Sequence, residues 1–198
     1  SDEVVHQFFI KQQREEDWIE LLPDEDATYD EEIIINLNEL TPLVAQPDMP
    51  DNVIAIKDLP TQVKIDQVFI GSCTNASYTD LAKAAAILKG HTVHPDVSLV
   101  VAAGSRQIFS MALRDGIIST LVDAGARILE CGCGPCVGIG QAPRTNGVSL
   151  RTSNRNFKGR SGTLDASIYL SSPEVAAISA LKGYITDPIT EGVTDEIG

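Results

Sequence analysis

The most reactive groups in this chain are cysteines. One sits in Gly71-Ser72-Cys73-Thr74-Asn75. Two more follow sixty residues later in Cys133-Gly134-Pro135-Cys136. Soft thiolates suit zinc or iron–sulfur centres. An iron–sulfur cube normally takes four cysteines, one per iron. Held by three, it keeps one iron with open coordination positions, and such an iron can bind a substrate. A structural zinc site wants four ligands. Cys131 is the one further cysteine, and it lies only two residues before Cys133. A cramped tetrahedral loop that uses it stays open as an alternative. Gly132 and Gly134 permit tight turns, and Pro135 stiffens the bend. With no export signal in view, reduced thiols are expected rather than disulfides.

A second group of reactive residues lies just downstream. Gln141 to Arg160 contains Arg144, Arg151, Arg155, Lys158 and Arg160 and no acidic residue, although the whole chain carries a net charge of −13. A basic window in so acidic a chain reads as an anion site. Within Ser153-Asn154-Arg155-Asn156-Phe157-Lys158-Gly159-Arg160, two guanidinium groups flank a glycine loop. Arg grips carboxylates through paired hydrogen bonds. Arg155 and Arg160 are therefore expected to hold two carboxylates of one small ligand. Asn154 can reach sulfur or a substrate oxygen. Ser72, Thr74 and Asn75 are expected to shape the Cys73 turn rather than react. His6, His91 and His94 read as solvated or structural, and Trp18 and Met111 as packing residues.

The bulk properties narrow the choice. The chain has 198 residues, 43% of them apolar and 22% charged, which suits a soluble domain with a real core. The strong negative charge argues against general nucleic-acid binding. The longest apolar runs, such as Leu99 to Ala103, are far too short to span a bilayer. The N-terminus is acidic where a signal peptide would be basic. Asp2 to Glu32 holds twelve acidic residues against Lys11 and Arg14. The first residue is Ser1, not Met, which suggests a piece of a longer protein. The expected location is cytoplasmic, or the mitochondrial matrix in a eukaryote.

These groups need a scaffold, and the apolar pattern supplies one. Residues Asp2 to Gln13 read as a helix, Ile33 to Leu37 as a strand, and Thr41 to Leu59 as an extended, proline-bearing connector. A regular alternation follows. Strands are expected at Val68–Ile70, Leu99–Ala102, Arg127–Leu129, Val148–Arg151 and Ile168–Leu170. Helices are expected from the Ser77 cap to Lys89, at Gln107–Leu113, at Ile117–Ala124 and at Glu174–Leu181. The fold class is α/β: a mainly parallel sheet, three-layered, with helices on both faces. One domain is expected, with residues 1–60 as helix, strand and connector and 61–198 as the α/β core. Ligands gather beyond the carboxyl ends of parallel strands. Cys73, the Cys133/Cys136 pair and the Arg155/Arg160 loop each follow a different strand, so they should meet at one sheet edge.

At Ile70–Asn75, Leu129–Gly140 and Ser149–Gly162 the chain resembles the aconitase family, and within it the aconitate hydratases. Tyr29-Asp30-Glu31, Pro50-Asp51-Asn52-Val53 and Ser172-Pro173-Glu174-Val175-Ala176-Ala177 are similar as well. The resemblance implies the third domain of a four-domain hydro-lyase that interconverts citrate and isocitrate through cis-aconitate. It implies Cys73, Cys133 and Cys136 as ligands of a [4Fe-4S] cluster with one labile iron. It also implies Arg155 and Arg160 as substrate-carboxylate binders, with Asn154 and Ser72 beside the cluster. The base and the remaining acid groups would come from the first, second and last domains, in cis, so this chain alone should be inactive. A related hydroxy-acid dehydratase, of the isopropylmalate or homoaconitate type, is the alternative. A cluster-free RNA-binding iron sensor and a zinc-binding module are the other readings.

Overall fold

The computed structural model describes residues 1–193. The chain divides into two compact units, Ser1–Leu40 and Thr41–Gly198. In the first unit, α1 spans Glu3–Lys11. Asp2 caps it by accepting from the Val5 N–H at 3.0 Å, which satisfies one of the free amides of the first turn. The Trp18 indole stacks on the His6 ring, with centroids 4.2 Å apart. The strand expected at Ile33–Leu37 does not form. Ile33, Ile34 and Ile35 have strand-type side chains, but among the described residues no neighbouring strand offers them a ladder, and they stay exposed. Residues Leu37–Glu39 instead make one 3₁₀ turn.

The second unit holds a seven-stranded sheet. Its strands are β1 Leu43–Ala45, β2 Val53–Ala55, β3 Gln67–Gly71, β4 Ser98–Ala102, β5 Arg127–Ile128, β6 Val148–Arg151 and β7 Ser167–Leu170. Their order is β2-β1-β7-β6-β3-β4-β5. The five strands from β7 to β5 are parallel. The expected connector is corrected here. Val44 and Ala45 are buried, so part of the connector folds as the β1–β2 hairpin and adds to the sheet antiparallel to β7. The helices are α2 Tyr78–Leu88, α3 Arg106–Arg114, α4 Ile117–Asp123 and α5 Pro173–Lys182. No helix among the described residues is long and apolar enough to cross a membrane.

Strand alternation sorts the two faces. Val68, Ile70, Leu99, Val101 and Leu150 turn toward a large core shared with α2, α4 and α5. Phe69, Val100 and Ala102 turn the other way and pack with Leu129 and Cys136. The parallel registers put Gln67 opposite Ser149, and Phe69 opposite Arg151, on this second face. Central parallel strands usually read as apolar throughout. Here Gln67, Ser149 and Arg151 are all buried. That polar inset marks the face that carries the cysteine loop.

The helix ends follow local chemistry. Ser77 and Asp80 form a reciprocal capping box at the start of α2, with bonds of 3.1 and 2.9 Å. Pro173 opens α5, and Gly183, in the left-handed region at φ +84, closes it.

Candidate metal centre

Three loops meet at the carboxyl edge of the parallel strands. The first leaves β3 at Gly71. A side chain on Gly71 would meet the Phe69 ring at 2.4 Å, so only glycine fits the exit. Ser72 then adopts φ +152, a strained backbone for a residue with a side chain. Its hydroxyl accepts from the Asn75 N–H at 2.8 Å and the Thr74 N–H at 3.2 Å. The turn closes around Cys73 and presents it to solvent. Ser72 is buried beneath it and acts as the expected scaffold.

Thr152, just after β6, ties this turn to the next loop. Its hydroxyl accepts from the Gly71 N–H at 2.9 Å and lies 3.0 Å from the Asn75 carbonyl, to which it donates. The Asn75 amide donates back to the Thr152 carbonyl at 2.6 Å. Thr152→Val removes the acceptor and leaves the buried Gly71 N–H unpaired. The expected loss is about 1–3 kcal/mol. Urea unfolding measures it, and Cys73 alkylation should quicken as the turn loosens.

The second loop follows β5. Residues Pro135–Val137 form one 3₁₀ turn with Pro135 at its start and Gly138, at φ +89, at its end. Cys133 is exposed and Cys136 is buried. Burial pushes the Cys136 thiol above its ordinary value. The nearby Cys133 and Cys73 sulfurs add to that rise, and the Arg160 and Arg151 guanidiniums oppose it.

The third loop follows β6. Asn156 anchors it, donating to the Gln46 carbonyl at 2.7 Å and to the Ile168 carbonyl at 3.1 Å. Asn154 and Arg155 are exposed, and Arg160 is half-buried with its guanidinium 5.9 Å above the Phe157 ring. The Ser153 and Ser161 hydroxyls and the Asn156 side-chain oxygen are buried without a partner. The second and third loops touch backbone to backbone. A Cβ on Gly138 would lie 2.1 Å from the Ser161 carbonyl oxygen.

The three loops that carry Cys73, Cys133 and Cys136, and Arg160 thus meet at one edge, with Ser72 buried under the first and Asn154 and Arg155 exposed on the third. Cys131 packs against the helix-side core instead. Among the described residues, no three His, Cys, Asp or Glu side chains lie close enough to share one metal ion. A zinc ion needs its thiolates about 2.3 Å away around a single point. A cube gives each thiolate its own iron at a separate corner. A set of three soft sulfur donors flanked by guanidiniums fits such a cube by its chemistry. Thr152 and Asn156 build the site without standing out in the sequence, and Arg151, read there as part of an anion-binding window, is a buried scaffold residue instead. Their signal was present as polar side chains in and after a strand that should be apolar.

The chain matches the sequence model of the Aconitase family (aconitate hydratase) over residues 5–183. It is 49% identical over 190 residues to 3-isopropylmalate dehydratase large subunit 1 of Thermotoga maritima, covering 95% of this chain and 46% of that protein. It is 44% identical over 198 residues to the methanogen homoaconitase large subunit of Methanocaldococcus jannaschii, covering 96% and 47%. It is 47% identical over 180 residues to the homoaconitase large subunit of Thermus thermophilus, covering 90% and 42%. The chain spans about half the length of the curated relatives it matches.

Proposed function

This chain belongs to the aconitase family, and on that premise we propose that it is the cluster- and carboxylate-binding part of a hydroxy-acid dehydratase large subunit. The isopropylmalate or homoaconitate type is favoured over the citrate–isocitrate enzyme expected from the sequence, because relatives of 44–49% identity carry those names. Those relatives are named large subunits, so we further propose a separate small subunit as partner. The single observation that carries the reading is the meeting of three loops at one sheet edge, locked by the Thr152 bridge and the Gly138–Ser161 contact.

Cys73, Cys133 and Cys136 would hold a [4Fe-4S] group. When bound, it supplies a Lewis-acidic iron that polarises a hydroxyl and a carboxylate of the substrate. Arg155 and Arg160 bind and orient the substrate carboxylates through forked hydrogen bonds. The Phe157 ring steadies the Arg160 guanidinium from one side. The remaining groups that move protons are proposed to come from polypeptide outside this chain.

The test is titration of the anaerobically reconstituted chain with 3-isopropylmalate, homoaconitate and cis-aconitate. Saturable binding is expected, with Kd raised at least about tenfold, or 1.4 kcal/mol, by Arg155→Lys or Arg160→Lys. Binding that ignores both substitutions would refute the carboxylate assignment.

A further inference from the structure

Beneath the Cys133–Cys136 turn lies a cation that the proposed function leaves unused. Arg151 ends β6 and is completely buried. A buried charge normally requires an opposite charge, since its desolvation costs several kcal/mol. Arg151 makes no ion pair with a carboxylate among the described residues. All its acceptors are neutral: Ser149 Oγ at 3.0 Å, the Pro135 carbonyl at 2.9 Å, Gln67 Oε1 at 2.8 Å and the Gln141 carbonyl at 3.1 Å. The Phe69 ring lies 5.4 Å from its guanidinium carbon. Pro135 and Gln141 bracket the segment that contains Cys136. A fixed positive charge therefore supports this turn from below, relieved only by dipoles and a ring face.

Metal-bound cysteines are thiolates. Three of them around an iron–sulfur group concentrate negative charge beside this cation, and reduction by one electron adds more. We propose that Arg151 is a positioning residue and the built-in counter-charge of the thiolate site. Its guanidinium holds the Pro135 carbonyl, and its charge favours the reduced state of the group the cysteines would bind. The assignment rests on the cluster reading above.

The experiment compares wild type with Arg151→Lys, Arg151→Gln and Gln67→Glu after anaerobic reconstitution with ferrous iron and sulfide. The readout is the midpoint potential of the bound group. Gln67→Glu leaves Arg151 in place. It puts a carboxylate at the atom that already accepts the 2.8 Å bond, which neutralises the charge and keeps the Arg151 bonds, at the loss only of the 3.5 Å donation from Gln67 Nε2 to the Gln141 carbonyl. Arg151→Lys keeps the charge and should keep the wild-type potential. Arg151→Gln and Gln67→Glu should each lower the reduced-to-oxidised ratio at fixed applied potential about tenfold, which for one electron is about 59 mV.

A purely structural role predicts a different pattern. Arg151→Lys would then shift as far as Arg151→Gln, and Gln67→Glu would not shift at all; either result overturns the assignment. Should circular dichroism show Arg151→Gln unfolded, Gln67→Glu alone decides, since it keeps every Arg151 acceptor. A wild-type chain that takes up no iron and sulfide overturns the cluster reading and this inference with it. A wild-type chain that loads normally, with equal potentials in all variants, overturns this inference alone.

Discussion

Serine in place of any one of Cys73, Cys133 or Cys136 is expected to abolish stable uptake of iron and sulfide, whereas Cys131→Ser should load like wild type. A cube held by three thiolates has none to spare, so each loss leaves a second iron without a cysteine ligand. Serine is a hard oxygen donor of much higher pKa and a poor substitute for a soft thiolate. Cys131 differs by position: it packs with the helix-side core, whereas Cys136 sits in the small cluster with Phe69, Val100 and Ala102 on the other face. Iron and sulfide per chain, with the visible sulfur-to-iron absorbance, measure the outcome. Equal losses from Cys131→Ser and Cys133→Ser would restore the four-thiolate zinc alternative.

Gly138→Ala should be the most damaging single substitution outside the cysteines. Its Cβ would lie 2.1 Å from the Ser161 oxygen, 2.6 Å from the Ser161 carbonyl carbon and 3.0 Å from the Gly162 Cα. All three are backbone atoms, so no side chain can swing aside. The residue also sits at φ +89, which a side chain disfavours by about 1–2 kcal/mol. Overpacking adds about 1–3 kcal/mol. The total expected loss is about 2–5 kcal/mol, read from urea unfolding. Two controls separate the causes. Gly140→Ala carries the left-handed strain at φ +70 with no contact within 4 Å, so it should lose only the first part. Gly132→Ala meets nothing within 4 Å and should be nearly neutral. Because Gly138 joins the cysteine turn to the loop of Arg160, its substitution should also weaken cluster uptake and carboxylate binding together.

Much of this was legible before the fold was seen. Val68-Phe69-Ile70 and Leu99 to Ala102 are short, unbroken apolar runs rich in β-branched and aromatic residues and closed by glycine, as strands buried on both faces are. Ser77 with Asp80, and Pro173 with Gly183, carried the helix boundaries in their own side chains. The meeting of the loops that carry Cys73 and the Cys133/Cys136 pair followed from parallel topology. Other parts were hidden for physical reasons. Ile33-Ile34-Ile35 has strand propensity, yet a strand exists only where another edge accepts its hydrogen bonds. Leu43–Ala45 and Val53–Ala55 were masked by the prolines around them, and they fold because β7 offers an open edge. Arg151 read as the end of a strand and as one of several basic residues in an anion-binding window. Its burial depends on Gln67, Ser149 and two carbonyls from distant parts of the chain, a set no local pattern reveals.

The central claim is that Cys73, Cys133 and Cys136 hold one polynuclear centre and leave it a non-thiolate iron. Mössbauer spectroscopy of the wild-type chain, reconstituted with iron-57 and sulfide, tests it most directly. The account predicts that one iron in every four is distinct and shifts alone when 3-isopropylmalate is added. Four equivalent sulfur-ligated irons, or a single tetrahedral metal ion per chain, would contradict it.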